Sequence, residues 1–107
     1  MSNIEGVQLI TAAGSVTISN GVKIVYVNPA SLLATLVPTF PANANDLDEL
    51  WFHYGGTILT GVAVVTAQTL TPNSGQSIVG TLLTAPLGGS CTAFRYRGAN
   101  TTWYKIV

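Results

Sequence analysis

Apolar and polar side chains alternate along most of this chain, and the alternation stops wherever glycine, proline or asparagine intervenes. A period of two with β-branched residues is the signature of half-buried strands. Gly6–Ala12 (GVQLITA) alternates weakly and reads as a first strand. After Gly14, Ser15–Ser19 (SVTIS) places Val16 and Ile18 on one face. Asn20-Gly21 follows, a strong two-residue turn signal, and then Val22–Val27 (VKIVYV), with Val22, Ile24 and Tyr26 sharing a face. The pattern predicts a tight hairpin between these two strands. Asn28-Pro29 ends it, and Ser31–Val37 opens another strand, which Pro38 and Pro41 should close because neither can donate to a ladder. Asn43–Glu49 is a polar loop with room for one helical turn. Leu50–Tyr54 (LWFHY) is an aromatic strand stopped by Gly55-Gly56. Thr57–Ala67 is a strand that Gly61 bulges or breaks. Gln76–Leu83, Ser90–Arg97 and Thr101–Val107 complete the series.

No segment carries helical periodicity. Many short strands separated by turn signals predict an all-β fold, a compact antiparallel β-sandwich or barrel-like domain formed by residues 1–107 as one unit. The C-terminal pair allows a sharper expectation. A three-residue loop would set Arg95 opposite Lys105, and like charges directly opposed destabilise a sheet. A four-residue loop instead pairs Tyr96 with Trp103 and Arg95 with Tyr104. Phe94, Tyr96 and Trp103 then share one face, and the aromatic hairpin of Phe94, Tyr96, Trp103 and Tyr104 is expected to hold the fold together.

The ending FRYRGANTTWYKIV resembles the terminal hairpin of β-rich fibre, head-fibre and capsid-decoration domains of tailed bacteriophages. In those domains an aromatic strand, a small polar loop and a Trp-Tyr-Lys/Arg-Ile strand close the fold. Upstream, SLLATLVPTFPANANDLDELWFHYGGTILTGVAVV is similar to their Leu-Thr-rich strand, Pro-Ala-Asn loop and strand-Gly-strand unit, and QSIVGTLLTAPLGGS follows in the same order. The resemblance spans Pro29 to Val107. It departs at Leu47-Asp48-Glu49, where such loops usually carry a glycine after the acidic residue. It implies a homotrimer displayed on the virion after synthesis in the bacterial cytoplasm. In that role the chain is a capsid decoration (cement) or head-fibre protein binding the major capsid protein. Residues Met1–Ala12 lie outside the family-like region and are expected to attach to the capsid by strand addition. The alternative is a receptor- or carbohydrate-binding tip domain of a tail fibre. The short span between Met1 and the terminal strand favours the small capsid-bound protein.

Charge alters the picture of the surface. Charged residues make up 7% of the chain, against a typical value of about 25%. None occurs from Leu50 through Phe94 or from Ile24 through Asn45. Such a surface repels its own copies weakly and is expected to be covered by assembly. Trp51, His53, Tyr54, Ile58, Val62 and Val64 are the candidate subunit interface. Four basic residues balanced by four acidic ones give no clustered positive field for nucleic acid. The prolines and asparagines within Ile24–Asn45 exclude a membrane span there, and Met1–Ile10 lacks the basic start of a secretory signal.

Candidate chemistry is sparse. His53, the only histidine, has no nucleophile or carboxylate motif beside it and reads as a packing or interface residue. Cys91 cannot form an internal disulfide and reads as a small hydrophobe. Asp46, Asp48 and Glu49 form the only acidic cluster, with Asn43 and Asn45 near, but their spacing matches no calcium loop. The glycines Gly55, Gly56 and Gly61 precede no helix and make no dinucleotide fingerprint. Trp51, Phe52 and Tyr54, or Trp103 and Tyr104, are the aromatics from which a sugar platform could be built. Catalytic, cofactor and metal residues are therefore expected to be none.

Overall fold

The computed structural model of the protein describes residues 6–107. Nine strands follow one another: β1 (Val7–Ile10), β2 (Gly14–Thr17), β3 (Ile24–Val27), β4 (Leu33–Thr39), β5 (Glu49–Tyr54), β6 (Val65–Gln68), β7 (Ser77–Val79), β8 (Cys91–Arg97) and β9 (Thr102–Lys105). A single 3-10 turn, Gly98–Asn100, lies between the last two. From β1 to β6 the chain changes sheet at every connection. The odd strands β1, β3 and β5 lie side by side and parallel, and so do the even strands β2, β4 and β6 in a second sheet. The first six strands thus make three turns of a flattened coil. β8 then pairs antiparallel with β5, β9 antiparallel with β8, and β7 parallel with β9, giving a six-stranded sheet of order β1-β3-β5-β8-β9-β7.

The domain is strand-rich and without α-helix among the described residues, but the antiparallel expectation is corrected. Five of the seven strand pairings are parallel. The expected hairpin at Asn20-Gly21 does not form. Gly21 takes a left-handed φ of 86° and Val22 N–H bonds to the Ser19 carbonyl at 3.2 Å, so a tight turn is present. It carries the chain across the core from one sheet to the other, not back along the same sheet. Alternation fixes which side chains point inward, and it is silent on which strand lies alongside. Val16 and Ile18 do share the inward face, while β3 buries Val25 and Val27 and turns Ile24 and Tyr26 outward.

Pro38 also defies its expected role, since β4 runs through it to Thr39. In the ladder with β6, Thr69 N–H donates to the Leu36 carbonyl and Thr71 N–H to the Pro38 carbonyl, both at 2.9 Å. The missing Pro38 amide would have served the Thr69 carbonyl. The Thr71 hydroxyl donates to that carbonyl instead, at 3.2 Å. One side-chain donor lets proline sit in a central strand. The 57–67 segment is shorter in β-structure than expected: only β6 is strand, and Gly61 at φ 83° breaks the rest into loop. The 43–49 loop holds no helical turn, and Leu47 itself takes a left-handed φ of 71°.

One core lies between the sheets. Val25, Val27, Leu50 and Phe52 enter it from the larger sheet and Ile18, Leu36 and Val65 from the smaller side. Phe40, just past β4, stands at its centre, with ring centroids 5.7 Å from Phe52, 5.2 Å from Phe94 and 5.3 Å from Trp103. The C-terminal hairpin takes the four-residue register, Tyr96 facing Trp103 and Arg95 facing Tyr104. Phe94, Tyr96 and Trp103 are buried. Tyr104 faces Arg95, as the same register requires. It points to the opposite face, is exposed, and receives a hydrogen bond from the Asn100 side-chain amide at 2.7 Å.

Candidate functional site

The outer face of the six-stranded sheet is built on β5, whose strict alternation buries Leu50, Phe52 and Tyr54 and turns Glu49, Trp51 and His53 outward. Register then sets their neighbours. Leu9, Tyr26, His53 and Cys91 form one row across β1, β3, β5 and β8, and Val7, Ile24, Trp51 and Ala93 form the next. The Trp51 and His53 rings lie nearly parallel, 11° apart with centroids at 6.1 Å, and Tyr26 stands 5.5 Å from His53. The result is an apolar and aromatic shelf, half exposed.

Its border is electrostatic. The Glu49 carboxylate accepts the Trp51 indole N–H at 3.0 Å and two Arg95 bonds at 2.6 and 3.2 Å. Those Arg95 bonds, with the indole second, hold Glu49 below its ordinary value. One carboxylate therefore fixes both the guanidinium and the tryptophan ring that leads onto the shelf. Partial burial pushes the Asp48 carboxyl up, but bonds from Lys23 at 2.7 Å and from the Asn45 amide bring it below its usual range. Asp46 accepts the Gly98 N–H at 2.8 Å. Beside this group a 440 Å³ hollow is lined by Leu47, Arg95, Tyr96, Arg97, Tyr104 and Ile106.

Charge is thus gathered where β5 begins. The loops at the opposite end, 28–32, 55–63 and 86–90, carry none, and they expose Leu32, Leu59, Val62 and Leu87. Among the described residues no three His, Cys, Asp or Glu side chains gather to hold a metal ion. No helix there is long and apolar enough to cross a membrane. His53 has Cys91 as its cross-strand neighbour and aromatic rings on either side.

Comparison with protein-family models and with the curated proteins finds no match.

Of the expected interface residues the structure keeps Trp51 and His53 on one face. Tyr54 and Val64 are corrected: both are buried in the core and cannot meet a second chain. Ile58 is partly buried and packs on that core, and Val62 is exposed at the uncharged end, away from the shelf. Leu9, Ile24 and Tyr26 were missed because they join the shelf only through parallel pairing of strands distant in sequence, and Cys91 because it joins through the antiparallel pairing of β5 with the equally distant β8. Residues 1–5 of the expected attachment segment lie outside the described residues, whereas Val7–Ile10 is an integral strand, β1. Deleting residues 2–10 would remove that strand and so would not separate attachment from folding.

Tyr54 yields a pH prediction. Its hydroxyl donates to the Gln68 side-chain oxygen at 2.9 Å, and the Gln68 amide donates to the Leu83 carbonyl at 3.1 Å. Burial pushes the phenol well above its ordinary value, outweighing the opposing effect of Gln68. The unfolded chain releases this proton near pH 10, and the folded chain holds it to higher pH. The associated stability is complete below about pH 10 and declines as pH rises above it. Tyr54→Phe should flatten that alkaline decline in urea melts. At neutral pH the same variant should lose about 1–3 kcal/mol, because the buried Gln68 oxygen loses its donor.

Proposed function

We propose that this protein is a structural component of a tailed-phage virion, a capsid decoration or head-fibre protein that binds the major capsid protein as a homotrimer. The observation that carries the reading is the outer shelf of the larger sheet, where Leu9, Ile24, Tyr26, Trp51 and His53 stand in adjoining rows. Contiguous apolar surface of this kind marks contact with other chains. The resemblance of the 29–107 region to phage decoration domains supplies the setting. The shelf acts as the threefold seam, and the chain works through assembly, without catalysis or a cofactor.

The experiment is sedimentation equilibrium at micromolar concentration with Trp51→Glu beside the parent, followed by co-sedimentation with purified capsids. The parent should contain three-chain units and be recovered with capsids in stoichiometric amount. Trp51→Glu should keep its melting temperature, since the ring is outside the core, and lose the threefold contact. A parent that stays a single chain would refute the reading. The near-parallel Trp51 and His53 rings favour one second reading, a sugar-stacking platform of a fibre tip. In that case the variant keeps the parent's mass and loses binding to host-cell glycans.

A further inference from the structure

Each sheet ends in two strands with one free side, and unpaired main-chain groups there are templates for another strand. Three of the four sides are short or partly covered among the described residues. β6 is covered by the returning chain: Val64 N–H bonds to the Pro86 carbonyl and Gln68 N–H to the Thr84 carbonyl, at 2.9 and 2.7 Å. β7 has three residues, and because Ser77 N–H is spent on Thr101, alternation leaves only Ile78 facing outward. β2 is capped at its C-terminal end by a side chain. The Gln8 amide donates to the Thr17 carbonyl at 3.3 Å and its oxygen accepts Ser19 N–H at 2.9 Å. These are the two bonds a neighbouring strand would make, so Gln8 stands in for that strand.

Among the described residues nothing covers β1 in this way. Ile24 N–H bonds to Gly6 and Asn28 N–H to Ile10, so Gly6, Gln8 and Ile10 face β3. By alternation Val7, Leu9 and Thr11 present their N–H and C=O groups to the free side. Leu9 is 61% exposed, and no charged residue lies between Gly6 and Val22 to guard the edge.

We propose that β1 pairs with β1 of a second copy of this chain, antiparallel about a two-fold axis at Leu9. Val7 then lies opposite Thr11 of the second copy and Leu9 opposite its own counterpart. Each such pair exchanges both main-chain bonds. The uncharged edge is self-complementary, so two identical strands meet without repulsion, and each Leu9 side chain is covered by the other. The two six-stranded sheets join into one, and their shelves become continuous. This contact joins main-chain groups at the sheet edge, whereas the threefold seam uses the sheet face around Trp51 and His53; the Leu9 side chain borders both.

Leu9→Pro tests it. The Leu9 N–H faces away from β3, so proline removes only a free-side donor and blocks addition, as edge positions allow. Leu9→Lys is the second variant, setting two ammonium groups against each other at the axis. Made in the Trp51→Glu background, which lacks the seam, each variant should show half the mass of Trp51→Glu alone by sedimentation equilibrium, two chains becoming one, with the melting profile of a folded domain. Hydrogen exchange of the parent should show the Val7 and Leu9 amides protected at high concentration and fast on dilution. Unchanged mass in both variants, or fast exchange of those amides at every concentration, overturns the pairing. The seam is tested separately, because Trp51→Glu leaves the edge intact.

Discussion

Trp103→Ala should lower the melting temperature by about 12–20 °C, from a loss of about 3–5 kcal/mol at roughly 4 °C per kcal/mol for a domain of this size. Trp103 is 2% exposed. Its ring meets Phe40 edge-on at 5.3 Å and Tyr96 at 5.0 Å. Truncation opens a cavity against Phe40, whose ring also meets Phe52 and Phe94, so neighbours on several strands lose contacts together. A polar effect adds to it. The indole N–H donates to the Gln76 side-chain oxygen at 3.0 Å, and the Gln76 amide binds the Pro41 carbonyl at 2.8 Å. The tryptophan therefore also steadies the loop that leads out of β4. Trp103→Phe separates the two contributions, since it keeps an aromatic ring and removes the donor, and should cost less. Thermal melts of the three proteins decide the matter. A Trp103→Ala protein that melts with the parent would place the ring outside the core.

The C-terminal hairpin was legible because it is local: a four-residue loop, a like-charge clash in the other register, and three aromatics on one face decide it within the 94–107 segment. The existence of β5 was legible too, from the LWFHY run and the Gly55-Gly56 stop, but its faces were not fully separated, since Tyr54 was grouped with Trp51 and His53. Partner choice was not legible. Asn20-Gly21 has the chemistry of a hairpin turn, and its backbone does turn, yet the strands on either side belong to different sheets. Parallel pairing of β1, β3 and β5 joins segments separated by whole turns of the coil, and only burial of the complete core selects it. The shelf inherits this limit. Trp51 and His53 could be named from the LWFHY pattern, while Leu9 and Tyr26 reach them only through register. Tyr54 and Val64 were misplaced because an uncharged sequence looks the same whether it lines a seam or fills a core. Pro38 was misread because its missing donor is replaced by Thr71, a residue far along the chain.

The pair Gly55-Gly56 provides the second large effect, and its two members should behave very differently. Both follow β5 where it leaves the sheet beside the 28–32 loop. Gly56 has a left-handed φ of 76°, and a Cβ built on it would lie 2.9 Å from the Asn28 Cα and 3.0 Å from the Asn28 carbonyl carbon. Those are backbone atoms and cannot rotate aside. The left-handed conformation costs an alanine about 1–2 kcal/mol, and forcing the two loops apart costs about 1–3 kcal/mol more. Gly56→Ala should therefore destabilise by about 2–5 kcal/mol in urea melts and shift the uncharged end, where Leu32 and Leu59 are exposed. Gly55 has no such constraint: its Cβ would meet only the Asn28 side-chain oxygen, at 4.0 Å. Gly55→Ala should stay within about 0.5 kcal/mol of the parent, as ordinary surface substitutions do. Equal melting of the two variants would mean that β5 does not leave the sheet by passing against Asn28. A large gap between them would show that the second glycine is required by that close approach, and the first only ends a strand.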